Sequence, residues 1–175
     1  GPFRVSPQTD PRLKVSPFYL DVMGELATDS LLVTHLSEFP EIAQFVILQR
    51  IFWFGRRGFK ENPLEGNINI DNDAWLGSYL WKKLRNYKVN ELINGRIKCN
   101  FQKASLVFSK ITKEIDDLGN AVLAQSTQAA QDKLMKEWMQ KNVDYAGPDE
   151  QFQIPEEMRE LFYNCQLVEE VPHFT

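Results

Sequence analysis

The chain has 175 residues, the usual size of one compact domain, of which 43% are hydrophobic and 25% are charged. These ordinary globular proportions exclude wholesale disorder. No run approaches the roughly 18 consecutive apolar residues that a membrane span needs, so we expect a soluble domain with a core of its own.

Two features of the chain bear on its origin and compartment. It begins Gly1-Pro2 without an initiator Met, which matches the remnant that a processing protease leaves on a recombinant chain. We therefore expect a piece of a longer protein. Cys99 and Cys165 are the only cysteines, too few for a disulfide framework. We expect free thiols and an intracellular, cytoplasmic location.

The charge is distributed unevenly along the chain. The overall net charge is −4, but residues 1–103 carry +3 and residues 104–175 carry −7. After Asn142 the chain has eight acidic residues and one basic residue, Arg159. Such asymmetry is expected when an acidic C-terminal segment folds onto a basic face of its own domain. It also occurs in chains that contact nucleic acid or membranes.

The N-terminal part of the chain predicts an arm and then helix. Residues 1–16 have little apolar periodicity and predict an extended arm. Ser16-Pro17 is typical of a helix start, with Ser as N-cap and Pro at the first helical position. Asp29-Ser30 predicts that a second short helix restarts over residues 31–36. The run 30–36 is short enough to be a strand instead.

Residues 40–54 predict the most hydrophobic helix of the chain. Pro40 suits its first position and Glu41 its first turn, where the helix dipole favours negative charge. Gly55 predicts its end, and Arg56 and Arg57 follow as candidate anion contacts. We interpret this segment as a buried helix, with an interfacial membrane anchor as the alternative.

The middle of the chain mixes loop and helix. Residues 58–73 predict a loop with one short extended piece near 66–71. Asp71 or Asp73 is predicted to cap the next helix, which runs to Tyr87 or Lys88. A further short helix is predicted near 90–98, broken by Gly95.

The longest predicted helix begins near Asn100. Its apolar residues are separated alternately by three and four positions, which predicts a seam for packing against another helix. The seam consists of Phe101, Ala104, Phe108, Ile111, Ile115, Leu118 and Val122. A second helix follows, with Met135 and Met139 on its apolar face. We expect the two to form a long antiparallel pair over about 100–142. An intermolecular coiled coil is the alternative.

These elements together predict an all-α fold. We expect a bundle of about five to seven helices over residues 17–146. The acidic C-terminal segment, 147–175, is predicted to pack on this domain with one short helix that begins at Pro155. The alternative is an α+β arrangement with one small sheet, built from strands near 30–36 and 66–71.

The sequence contains no recognisable catalytic motif. It has no nucleophile elbow, no glycine-rich phosphate loop and no dinucleotide-binding fingerprint. His35 and His173 are the only histidines, and neither has a cysteine or carboxylate at metal-ligand spacing. We expect no metal and no cofactor. An enzyme whose site is assembled from distant residues is one of our hypotheses.

One helix face stands out as a candidate site. On a helical wheel of residues 73–88, Trp81 lies opposite the apolar side, among Lys82, Arg85 and Lys88. Arg96 and Lys98 follow as candidate anion contacts. Three interpretations are open: an anchor for a protein partner, a platform that stacks a nucleic-acid base, or a face covered by the acidic C-terminal segment through Phe152 or Phe162.

These observations favour a non-catalytic protein–protein interaction or assembly module. We expect it to be a domain of a larger protein or a subunit of a complex, with Trp81, Lys82, Arg85 and Lys88 as the partner-binding residues. Single-stranded nucleic-acid binding through the same basic face is the alternative.

Overall fold

The computed structural model describes residues 10–54, 67–69, 71–94, 96–144 and 151–164. These ranges contain six α-helices and four short strands. The helices are α1 Pro17–His35, α2 Pro40–Leu48, α3 Asn72–Asn86, α4 Phe101–Leu123, α5 Gln128–Asn142 and α6 Glu156–Asn164. The strands are β1 Asn67–Asn69, β2 Asn90–Ile93, β3 Arg96–Cys99 and β4 Gln151–Gln153. The predicted mostly helical fold is confirmed.

Helix α1 begins at Pro17, as predicted, but it does not stop at Asp29-Ser30. It continues to His35, so the predicted second short helix and the alternative strand over 30–36 are both wrong. Asp29 and Ser30 are buried inside the helix. Their side chains bond to neighbouring groups instead of capping a helix. Before the helix, Leu13 and Val15 of the expected arm are buried against the core.

Helices α1 and α4 form the most extensive helix pair in the described residues. Thr112 of α4 donates to the Ser30 hydroxyl at 3.0 Å, and Lys14 Nζ reaches the Ser126 carbonyl at 3.3 Å. Lys14 comes just before α1 and Ser126 just after α4, so the start of α1 lies beside the end of α4. The two helices are therefore antiparallel. The seam predicted for α4 is buried from Ala104 to Val122 and packs here. The spine is therefore α1 with α4, whereas α4 and α5 touch less extensively.

Helix α2 continues directly into a π-helical turn, Gln49–Phe54. The predicted helix over 40–54 is thus continuous but changes its hydrogen-bonding pattern near its end. Wider π-helical turns rotate the following side chains and recur at functional sites. The candidate anion contacts Arg56 and Arg57 lie outside the described residues.

Helix α3 lies at the centre of the fold. The Asp71 side chain caps it by accepting a hydrogen bond from the Ala74 amide at 2.8 Å, as one of the two predicted caps. All eight residues over 74–81 are buried, although a surface helix buries only one face. The neighbours that enclose α3 are α1, the π-helical turn and β2, with ring contacts from Trp138 and Phe152.

Two small antiparallel sheets flank the helices. Strand β1 pairs with β4, with Ile68 opposite Phe152, so the extended piece predicted near 66–71 is confirmed for its described part. Strands β2 and β3 form a hairpin with Ile93 opposite Arg96. The short helix predicted near 90–98 is therefore wrong. Asn94 has a φ of 52°, and Asn-Gly between two apolar runs favours a two-residue hairpin turn.

Helices α5 and α6 complete the fold. Met135 and Met139 of α5 are fully buried, as is Met158 of α6. Helix α6 follows Pro155, as predicted. None of the helices in the described ranges is long and apolar enough to cross a bilayer.

Candidate functional site

Trp81 is a core residue. It is 1% exposed, and the Phe52 ring of the π-helical turn packs edge-on against it with centroids 5.8 Å apart. Of the three interpretations left open by the sequence, the two that need an exposed indole do not fit this position. The wheel placed Trp81 opposite the apolar side correctly, but α3 is enclosed on that side as well. In this fold Trp81 cannot anchor a partner on the surface.

Arg85 is held by the C-terminal segment. Its Nε and Nη2 donate to the two carboxylate oxygens of Glu157 at 2.9 and 2.7 Å. Its Nη1 donates to the Asn90 carbonyl at 3.2 Å, and its guanidinium carbon lies 6.0 Å from the centre of the Trp81 ring. The planar guanidinium thus bridges α6, β2 and the buried indole. This geometry uses most of its donors within the domain.

The other two cations of α3 also have acidic partners. Lys82 Nζ lies 2.8 Å from Asp144, and Lys83 Nζ lies 2.8 Å from Glu114 of α4. Asp144 and Glu157 both come from the acidic part of the chain. They support the interpretation that this part folds back over the α3 face. Phe52 packs on Trp81, and Phe152 packs on Trp75 with centroids 6.1 Å apart. The side chain of Phe162 lies outside the described residues.

The remaining predicted site residues lie on and beside the β2–β3 hairpin. Lys88, Arg96 and Lys98 are exposed, and none of them makes an ion pair within the described part of the chain. Lys88 has a φ of 54° and follows the end of α3. The amide of Val89 donates to the Leu84 carbonyl there at 2.8 Å, which closes the helix in a Schellman-type turn. These three cations follow the end of α3 in the chain, so they do not lie on the same helix face as Lys82 and Arg85.

The outward side of α2 carries large apolar residues in solvent. Phe39, Ile42 and Phe45 are spaced three residues apart and are 54%, 51% and 64% exposed. We call these three residues the α2 outer face. Phe39 precedes the helix, and the other two lie within it. The exposed parts of these three side chains together amount to about 300 Å² of apolar surface. Patches of this size on monomers are often functional.

The inward side of α2 is apolar too. Ala43, Ile47 and Ile51 are 4% exposed or less. Glu41 and Arg50 are the only charged residues over 40–54. Arg50 is therefore the only basic residue of this segment, and its orientation determines which side of the helix carries a positive charge.

Arg50 turns inward, where three carboxylates receive it. It pairs with Glu25 at 3.0 Å, with Asp29 at 2.5 Å and with Asp73 at 2.9 Å. Burial raises the pKa of the Asp29 carboxyl, and the hydrogen bond from Arg50 opposes that shift. The cluster ties the π-helical turn to α1 and to the first turn of α3. It also leaves the outward side of α2 without a basic residue.

An aromatic cluster fills the space between α3 and α5. Trp75 stacks on Tyr79 with centroids 5.2 Å apart, and Trp138 lies 5.7 and 5.4 Å from these two rings. Burial raises the pKa of the Tyr79 hydroxyl well above its usual value. The polar atoms Trp75 Nε1, Ser78 Oγ and Tyr79 Oη are buried without a hydrogen-bond partner in the described structure.

His35 is the one histidine that the structure describes. His35 is exposed on the last turn of α1, and His173 lies outside the described residues. Within those residues, no group of three or more His, Cys, Asp or Glu side chains could hold a metal ion. Cys99 is a free thiol that donates to Asn90 Oδ1 at 3.1 Å, and Cys165 is not described.

No protein-family model matches the chain, and no curated protein and no solved structure matches it either. Sequence reasoning named Trp81, which is buried, and missed Phe39, Ile42 and Phe45. The signal that could have found them is the composition of residues 40–54, which place large apolar residues on both sides of the helix.

Proposed function

We propose that the domain is a non-catalytic protein–protein interaction module and that the α2 outer face is its docking surface. One observation carries the proposal: α2 is apolar on both sides, and only one side is buried by its own domain. Large apolar side chains gathered on one side of a helix are normally enclosed by a neighbour. A protein partner that packs an apolar helix or sheet face on Phe39, Ile42 and Phe45 would enclose it.

The charges around the outer face favour protein over membrane. Helices that lie in a membrane interface carry Lys and Arg on their polar side. Here the exposed charges next to the outer face are Glu38 and Glu41, and Arg50 faces the interior cluster. An anionic lipid surface would repel this arrangement. A partner with basic residues at the rim of an apolar patch would complement it.

The size of the outer face suits the centre of an interface. Stable complexes bury about 800 Å² on each partner, and a few central aromatic or aliphatic residues supply most of the binding energy. The about 300 Å² of Phe39, Ile42 and Phe45 fits such a centre. Neighbouring polar residues of α1 and α2 would form the rim.

The experiment compares three forms of the whole chain in a quantitative pull-down from the native extract, each with and without nuclease. They are the wild type, Phe39→Ser/Phe45→Ser, and the control Leu106→Ser, which alters an apolar side chain of α4 that is 61% exposed. We expect one nuclease-resistant protein at stoichiometric yield with the wild type and the control. Its yield should fall about tenfold or more with the double variant.

Equal recovery of the same protein by the double variant would contradict the proposal. So would binding of the wild type, but not the double variant, to lipid vesicles in a sedimentation assay with no protein partner recovered. Circular dichroism and thermal melts of all three forms verify that the fold is intact. Light scattering on the purified chain then distinguishes a second copy from a different partner.

A further inference from the structure

The β2–β3 hairpin presents a second surface with different chemistry. Leu92 and Ile97 lie opposite each other and pack against the core. Side chains alternate between the two faces of a strand, so Glu91 and Ile93 of β2 share the outward face with the residues opposite them, Lys98 and Arg96. We call these four residues the hairpin outer face. Ile93 lies at the tip of the hairpin and is 47% exposed.

The cations here differ from those of α3 in having no acidic partner. Lys82, Lys83 and Arg85 each pair with a carboxylate. Lys88, Arg96, Lys98 and Lys103 are exposed and make no ion pair within the described ranges. Glu91 is the only acidic residue between Lys88 and Lys103. Like charges so close in the chain repel one another, so stability of the fold does not account for them.

A cavity of about 600 Å³ accompanies these charges. It is open to solvent and is lined by Ile93, Asn94, Arg96, Ile97 and Lys98. Ile93 supplies an apolar wall on the outward face, and two cations stand beside it. This combination fits an apolar side chain with a carboxylate on either side of it.

The hairpin favours an acidic polypeptide over a nucleic acid. Proteins that bind single strands stack the bases on aromatic side chains, and residues 89–100 contain no aromatic residue. The nearby Tyr87 has its ring covered on one side by Lys110, whose Nζ lies 4.9 Å from the ring centre. The apolar part of the hairpin is therefore aliphatic, which suits an apolar protein side chain better than a nucleic-acid base.

We infer that the hairpin outer face, with Lys88 and Lys103 beside it, binds an acidic polypeptide segment that has an apolar residue between its carboxylates. Arg96 and Lys98 contact the carboxylates, and the apolar residue enters the cavity beside Ile93. This site is separate from the α2 outer face and does not depend on the function proposed for that face.

The test measures the fluorescence anisotropy of a labelled peptide of repeating Glu-Glu-Leu as the whole chain is added to it. We expect saturable binding that weakens about tenfold as salt is raised from low ionic strength to above physiological. Arg96→Glu/Lys98→Glu should lose binding at least about tenfold. The control Lys133→Glu/Lys141→Glu makes the same change of net charge on α5 and should retain binding. Ile93→Ser should weaken binding severalfold and leave its salt dependence unchanged.

Three results would overturn the inference: no saturable binding by the wild type, equal loss in the control, or tighter binding of an oligothymidylate that Arg96→Glu/Lys98→Glu abolishes. The last would make the hairpin a nucleic-acid site. The variant Phe39→Ser/Phe45→Ser should bind the peptide normally. The failure of this inference and the failure of the proposed docking function are therefore distinguishable.

Discussion

Phe45 and Ile47 lie two residues apart in α2, and they are 64% and 1% exposed. Successive helical residues point about 100° apart, so these two side chains face nearly opposite sides of the helix. Both are apolar. The core encloses one side of α2, while the opposite side displays residues of the same kind to solvent. This two-sided helix is the feature on which the proposed docking function rests.

The two residues should differ sharply in their effect on stability. Phe45→Ala should change the free energy of unfolding by no more than about 0.5 kcal/mol, because the side chain is largely solvated already. Ile47→Ala should cost about 2–4 kcal/mol because it leaves a cavity. Urea unfolding of both variants measures the difference. A large loss with Phe45→Ala would show that the outer face is covered within the domain.

Trp81→Ala should destabilise the domain severely. The indole is 1% exposed and packs on Phe52, so its removal should cost about 3–5 kcal/mol. Thermal melts measure the loss. As a comparison, Glu157→Ala should cost only about 0.5–1 kcal/mol, because the pair with Arg85 is partly exposed. A stable Trp81→Ala variant that loses a binding partner would contradict the buried position and restore the anchor interpretation.

Removing Arg50 should destabilise the domain in a pH-dependent way. Arg50→Ala removes the cation that pairs with Glu25, Asp29 and Asp73, and we expect a loss of about 3 kcal/mol at neutral pH.

The sign of the pH dependence follows from Asp29. Burial already raises the pKa of its carboxyl above 3.8, and loss of the cation raises it further. The unfolded chain then releases the proton first as pH rises, so stability falls above about pH 4 and returns below it. Urea unfolding at several pH values should show the variant approaching the wild type on acidification. A deficit that does not depend on pH would contradict this account. The control Arg12→Ala, at an exposed pair, should leave stability unchanged.

Two buried serines should respond in opposite directions to the same change. Ser78 Oγ has no hydrogen-bond partner in the described structure, so Ser78→Ala should stabilise the domain by about 1 kcal/mol. Ser30 Oγ bonds to the Ala27 carbonyl at 3.2 Å and to Thr112 at 3.0 Å. Ser30→Ala should therefore cost about 1 kcal/mol. Denaturant midpoints compare the two, and a loss with Ser78→Ala would reveal a partner for its hydroxyl.

The sequence determined the elements whose signals are local. Pro17 and Pro40 begin helices because proline suits the first helical position, and Asp71 caps α3 through its own side chain. The seam of α4 was readable because the spacing of three and four residues is a property of one helix. The Asn94-Gly95 dipeptide is also a local turn signal. A helix was predicted there instead because short apolar runs fit either period.

Only the tertiary structure decided which faces meet solvent. A helical wheel gives the angle between side chains but not the number of neighbours around the helix. Trp81 is buried because α3 is enclosed on both sides, and Phe45 is exposed because α2 is enclosed on one. Arg50 turns inward because three carboxylates from α1 and α3 meet there, and all three are more than 20 positions from it in the chain. Burial depends on contacts between distant segments, which periodicity within one segment does not contain.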